Sequence, residues 1–155
     1  MLKSNVSWST NTDSYTQGKE AAKKAVVDLI QTKVAFLFTS VDSNVSKVLE
    51  GAKAELGTAP IIGCTSSAGI ITPDGFISSE NGFTGILALG DPELTVGVAS
   101  SPKKEEARLT GQMVAKEAMK KAGNILFWVI VVLFLIGMVA GWYLYIKIIM
   151  GICAV

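Results

Sequence analysis

Lys33-Val-Ala-Phe-Leu-Phe-Thr39 is a continuous apolar run of strand length. A half-exposed strand would alternate apolar and polar residues. An unbroken run suits a strand covered on both faces, as in a sheet packed by helices. Helical patterns flank it on either side. Before it, Asp13 or Ser14 offers an N-cap, and Tyr15 to Thr32 follows with Ala21, Ala22, Ala25, Val26, Leu29 and Ile30 at helical spacing. After it, Asp42 or Ser43 begins a second helix to about Leu56, with Val45, Val48, Leu49 and Ala52 inward and Gly57 placed to end it.

Further out, Val6 to Ser9 reads as a short strand, and Pro60 leads into a buried strand at Ile61-Ile62-Gly63. A turn-rich stretch from Cys64 to Asn81 contains a Pro73-Asp74-Gly75 turn signal. Gly82 to Leu89 and Leu94 to Ala99 flank the turn Gly90-Asp91-Pro92 and read as a hairpin. Ser101-Pro102 opens a third helix with Glu105 and Glu106 early and Lys120 and Lys121 late, the polarity the helix dipole favours. The order β-α-β-α-β, then antiparallel strands and a helix, predicts an α/β layered domain with a small mixed sheet over residues 1–122.

Residues 123–124, Gly-Asn, read as a hinge. From Ile125 to Ile146 the chain then runs for twenty-two residues without a charge. At about 1.5 Å per residue this reaches roughly 33 Å, enough for a hydrocarbon core of about 30 Å. A single transmembrane helix over 125–147 is expected, with a short apolar tail over 148–155. Arg108, Lys116, Lys120 and Lys121 precede the span and only Lys147 follows, so the positive-inside rule puts the N-terminal domain in the cytoplasm. Within the span, Gly137 and Gly141 have the small-xxx-small spacing that lets membrane helices pack closely, which suggests a homo-oligomer.

Charge and composition narrow the function classes. With Lys147 set aside, thirteen basic residues face thirteen acidic ones, so no basic patch points to nucleic acid. Histidine is absent, which removes the commonest general base and the commonest transition-metal ligand. No metal, cofactor or enzymatic activity is expected. Cys64 and Cys153 cannot build a disulfide framework.

The most suggestive polar segment is Gly63-Cys64-Thr65-Ser66-Ser67-Ala68-Gly69, directly after the third strand. Ligands of open α/β sheets bind beyond the carboxyl ends of strands, where small residues admit a ligand to backbone N–H groups and hydroxyls supply hydrogen bonds. The plainer account is a tight connection that needs glycine and serine for its own conformation. The segment is neither a P-loop, a dinucleotide fingerprint nor a nucleophile elbow. Asp42, just after the central strand, could face the same crevice, although an N-cap role would explain it as well.

Several short motifs recur in a fixed order: Asp13-Ser-Tyr-Thr-Gln-Gly18, Phe36-Leu-Phe-Thr-Ser40 with Asp42, Ala59-Pro-Ile-Ile-Gly-Cys-Thr65 with Gly69 and Gly75, and Gly85-Ile-Leu-Ala-Leu89 with Asp91. In this order, from about Val6 to Lys121, the sequence resembles the N-terminal region of FIST domains, sensory modules of bacterial and archaeal signalling proteins. The resemblance implies binding of a small metabolite such as an amino acid rather than catalysis. The expectation is therefore a membrane-anchored sensory or ligand-binding protein. The competing expectation is a structural subunit of a homo-oligomeric or larger membrane complex.

Overall fold

The computed structural model describes residues 1–102, 106–123 and 138. The chain divides into two compact units, Met1–Val96 and Gly97–Val155. The first unit has the element order β1 (Lys3–Ser9), α1 (Ser14–Ala25), β2 (Thr32–Ser40), α2 (Val45–Leu56), β3 (Ile61–Ser66), β4 (Ile70–Thr72), β5 (Gly75–Ile77) and β6 (Thr84–Gly90). Four strands form one sheet in the order β1-β6-β2-β3, and β4-β5 forms a separate two-stranded hairpin. β6 is antiparallel to both β1 and β2, whereas β2 and β3 are parallel, so the sheet is mixed as expected.

Both crossovers follow from this order. The chain leaves β1 through α1 and returns in β2, leaving between them a slot that β6 later fills. α2 then links the parallel neighbours β2 and β3, as a parallel pair requires. The core lies between the helices and the sheet. Ala21, Ala22 and Ala25 of α1 and Val48, Ala52 and Leu56 of α2 pack with Ala35, Leu37, Ile86 and Ala88 of the two central strands.

The two helices meet through small residues. A Cβ on Gly18 would overlap the Val48 carbonyl, and one on Gly51 would overlap the Tyr15 carbonyl. Glycine at both positions lets the two backbones touch. At the edge of this contact, Lys19 and Glu55 form an ion pair at 3.9 Å.

Several boundaries differ from the sequence reading, each for an identifiable reason. α1 stops at Ala25 rather than Thr32, because Asn5 of β1 donates from Nδ2 to the carbonyls of Lys24 (3.0 Å) and Val27 (3.3 Å). Asp28 then takes a positive φ of 64°, which turns the chain toward β2. α2 begins at Val45 with Asn44 as N-cap, its side chain accepting from Lys47 N–H, so neither Asp42 nor Ser43 is the cap. β3 runs three residues beyond Gly63, because β2 offers a parallel ladder as far as Ser40 opposite Ser66. The hairpin expected from residues 82–89 and 94–99 does not form. β6 has β1 on one side and β2 on the other, so both its edges are taken, and residues 94–99 are not a strand.

In the second unit, a helix α3 covers residues 107–123, and Asn124 of the expected hinge lies outside the described residues. Lys121 pairs with Glu117 at 2.9 Å and donates to the Val98 carbonyl at 3.0 Å. Among the described residues, no helix is long and apolar enough to cross a membrane. Apart from Met138, the span expected over 125–147, with its pair Gly137 and Gly141, and the tail 148–155 lie outside the described residues.

Candidate functional site

The carboxyl end of β2 and the amino ends of β6, α1 and α2 converge on a buried polar cluster centred on Gln17 of α1, which is 1% exposed. Its side-chain carbonyl accepts from Ser43 Oγ and from Thr84 Oγ1, each at 2.9 Å. Its amide donates to the Asn11 carbonyl at 2.8 Å. Thr39 Oγ1 lies 2.8 Å from Thr84 Oγ1 and 3.0 Å from the Phe83 carbonyl, and its one proton serves one of them. Among the described residues, no buried side-chain nitrogen or oxygen lacks a partner. The cluster therefore ties both helices to the two central strands and presents no free group to a ligand.

Asp42 stands on the solvent side of this cluster. Ser40 Oγ donates to its carboxylate at 3.0 Å and accepts its backbone N–H at 3.1 Å. The neighbouring Val41 N–H donates to the Ser66 carbonyl at 3.1 Å, which brings Asp42 and Ser66 to the same end of the sheet. Ser66 Oγ is spent on the Gly69 carbonyl at 2.8 Å, the local role a tight turn gives a serine. Ser67 is exposed beside it.

Gly63, Cys64 and Thr65 do not belong to this end loop. They lie within β3, because the strand continues through them. Gly63 is required by the ladder itself: a Cβ there would overlap the Leu37 carbonyl of β2. The three residues instead line a groove of about 250 Å³ whose other walls are Leu37 and Thr39 of β2, Val45 and Leu49 of α2, and Ile61. Among the described residues, no carboxylate or amine lines it, so its walls suit an apolar or neutral group. Cys64 is a free, exposed thiol. The sequence-predicted residues thus split into an end pair, Asp42 and Ser66–Ser67, and a groove set, Gly63–Thr65.

Gln17 was not singled out from sequence, although its spacing held a signal. Positions 17, 21 and 25 fall on one helical stripe, and the other two are core alanines. Two carboxylates elsewhere are held below their usual range. Asp13 is the N-cap of α1, and hydrogen bonds from the Thr16 hydroxyl (2.6 Å) and backbone N–H (2.8 Å) favour its ionised form. Asp91 accepts from Glu93 N–H and from the amino group of Met1. Among the described residues, no cluster of three histidine, cysteine or acidic side chains could hold a metal ion.

Apart from Thr32, the residues of β2, α2, β3, the β4-β5 hairpin and β6 lie within residues 33–142, which match the model of the FIST N domain. The chain belongs to the FIST family. FIST domains are sensory modules of signal transduction. No curated protein matches this chain. The FIST match begins inside β2, so β1 and α1, which supply the first strand of the sheet and Gln17, precede it. At the other end it extends past α3 into the apolar stretch, as far as Trp142.

Proposed function

We propose that this FIST chain is a membrane-anchored sensory protein that binds a small molecule and acts by binding and self-association, without catalysis. The observation that carries the ligand reading is the groove over β3. α2 covers β2 but leaves the helix-side face of β3 open, so Leu37, Val45, Leu49 and Ile61 surround a space of small-molecule size. Asp42 and Ser67 stand nearby at the strand ends and offer polar contacts to a group reaching out of the groove. An amino acid with an apolar side chain has both parts.

Residues 125–147 are the proposed anchor, with the sheet unit on the cytoplasmic side and Gly137 and Gly141 as a helix contact. This rests on the uncharged length of the segment and on the basic residues before it. Alkaline extraction of membranes from expressing cells tests it, since an anchored chain stays in the pellet and a peripheral one is released.

Ligand binding is tested by the melting temperature of the full chain against a panel of small metabolites, amino acids included. A ligand at one hundred times its Kd adds about 2.7 kcal/mol to stability, which is several degrees for a domain of this size. If no compound raises the melting temperature, the structural reading, an accessory subunit of a membrane complex, takes its place.

A further inference from the structure

The ladder between β2 and β3 fixes which backbone groups of β3 are spent. Ala35 N–H donates to the Pro60 carbonyl and Val41 N–H donates to the Ser66 carbonyl. N–H and C=O of one strand residue point the same way and alternate along the strand, so the even-numbered residues of β3 face β2. Ile61, Gly63 and Thr65 therefore present their N–H and C=O groups to the outer edge, which no strand among the described residues pairs.

Among the described residues, this edge carries none of the usual protection. Ile61-Ile-Gly-Cys-Thr-Ser66 has no charge, no proline and no bulge, whereas the opposite edge strand β1 carries Lys3. The groove beside it is also incomplete. α2 supplies one wall and β2 and β3 the floor, and among the described residues the side beyond β3 is open.

We propose that a second copy of this chain pairs antiparallel to β3 about a two-fold axis at Gly63, and that the two copies together close the groove. This deepens the ligand reading above and rests on it only for what the closed groove holds. In this register Gly63 faces its own copy, and Ile61 faces the second copy's Thr65. All three outward residues of each strand then find a partner, whereas a register centred on Cys64 would use fewer of them. The axis stands perpendicular to the sheet, so both α2 helices lie on the same face. Each sits over its own β2, and three strand spacings separate the two β2 strands, about 14 Å. Helices in direct contact are about 8–10 Å apart. A channel remains between them, floored by the two β3 strands and walled by Val45 and Leu49 from each copy. The absence of charge on β3 means that no like charges oppose each other across the axis.

Disulfide trapping in the full chain tests the register without any ligand, so it is independent of whether the groove binds one. Ile62 stands opposite the second copy's Cys64 at a pair that exchanges no hydrogen bonds, with Cα atoms about 4.5 Å apart, inside the range a disulfide spans. Ile62→Cys in a Cys153→Ser background, treated with oxidised glutathione, is expected to give a covalent dimer. Cys153→Ser alone, and Ile62→Cys with both Cys64→Ser and Cys153→Ser, are expected to stay uncrosslinked, because like positions lie about 7 Å or more apart. Thr65→Pro removes an outward N–H that only the second copy uses, and an edge strand tolerates it. In a Gly137→Leu, Gly141→Leu background, which removes the helix contact proposed above, it is expected to convert the dimer to a monomer by mass while the circular dichroism is unchanged. A full chain that is monomeric by mass, crosslinking that is equal in all three cysteine variants, or a dimer that survives Thr65→Pro in the Gly137→Leu, Gly141→Leu background would overturn the proposal.

Discussion

Gln17 of α1 and Thr84 of β6 lie sixty-seven positions apart and are joined by a buried 2.9 Å hydrogen bond. The same carbonyl of Gln17 accepts from Ser43 ahead of α2, so one side chain fixes both helices to the sheet. Replacing it by leucine keeps the bulk and removes the acceptor, leaving the Ser43 hydroxyl buried without a partner. Gln17→Leu is expected to lower stability by about 1–3 kcal/mol in chemical denaturation. The effect of Ser43→Ala should be smaller in the leucine background than alone, because the two groups share one bond.

The helix contact should be equally intolerant of added atoms. Gly51→Ala places a methyl group against the Tyr15 carbonyl, a backbone atom that can yield only if α1 moves. A loss of about 1–3 kcal/mol is expected. Gly57→Ala adds a methyl group to open space and strains only its own positive φ of 60°, so its loss should be the smaller of the two.

Acid should act on the first helix through its cap. Asp13 has a folded pKa below its unfolded value, so it stabilises the fold above about pH 4. That contribution is lost as the pH falls through the folded pKa. Asn keeps the capping acceptor and does not titrate in this range. Asp13→Asn is therefore expected to be nearly neutral at pH 7 and to flatten the fall in melting temperature below pH 4. Asp91, lowered in the same direction, leaves a residual slope.

How far the sequence could be read depended on the distance over which each feature is decided. The run Lys33–Thr39 was legible as a strand but not in its cover: Ala35 and Leu37 are buried under the helices, whereas Phe38 on the other face is 39% exposed. Ala21, Ala22 and Ala25 were legible as a helix stripe from their spacing alone. The position of β6 was not, since its neighbours β1 and β2 are fixed by long-range pairing, and the adjacent residues 94–99 looked like a nearer partner. Cys64-Thr65-Ser66 read as a loop because small polar residues favour turns, yet the parallel ladder of β2 carried them on as strand. Asp42 lies at the same end of the sheet as Ser66 but apart from the Gly63–Thr65 groove set, and Gln17 was passed over because a polar residue in a helix usually faces water.

The central claim, that the groove between α2 and β3 receives a small molecule, is tested most directly by filling it. Leu49→Trp adds bulk at a partly buried groove position and should leave the unliganded melting temperature within a few degrees. For any metabolite that stabilises the natural chain, the shift is expected to disappear in Leu49→Trp and to persist in Ile71→Trp, which alters an 89% exposed residue on the β4-β5 hairpin. An undiminished shift in Leu49→Trp would place the ligand elsewhere and contradict the reading.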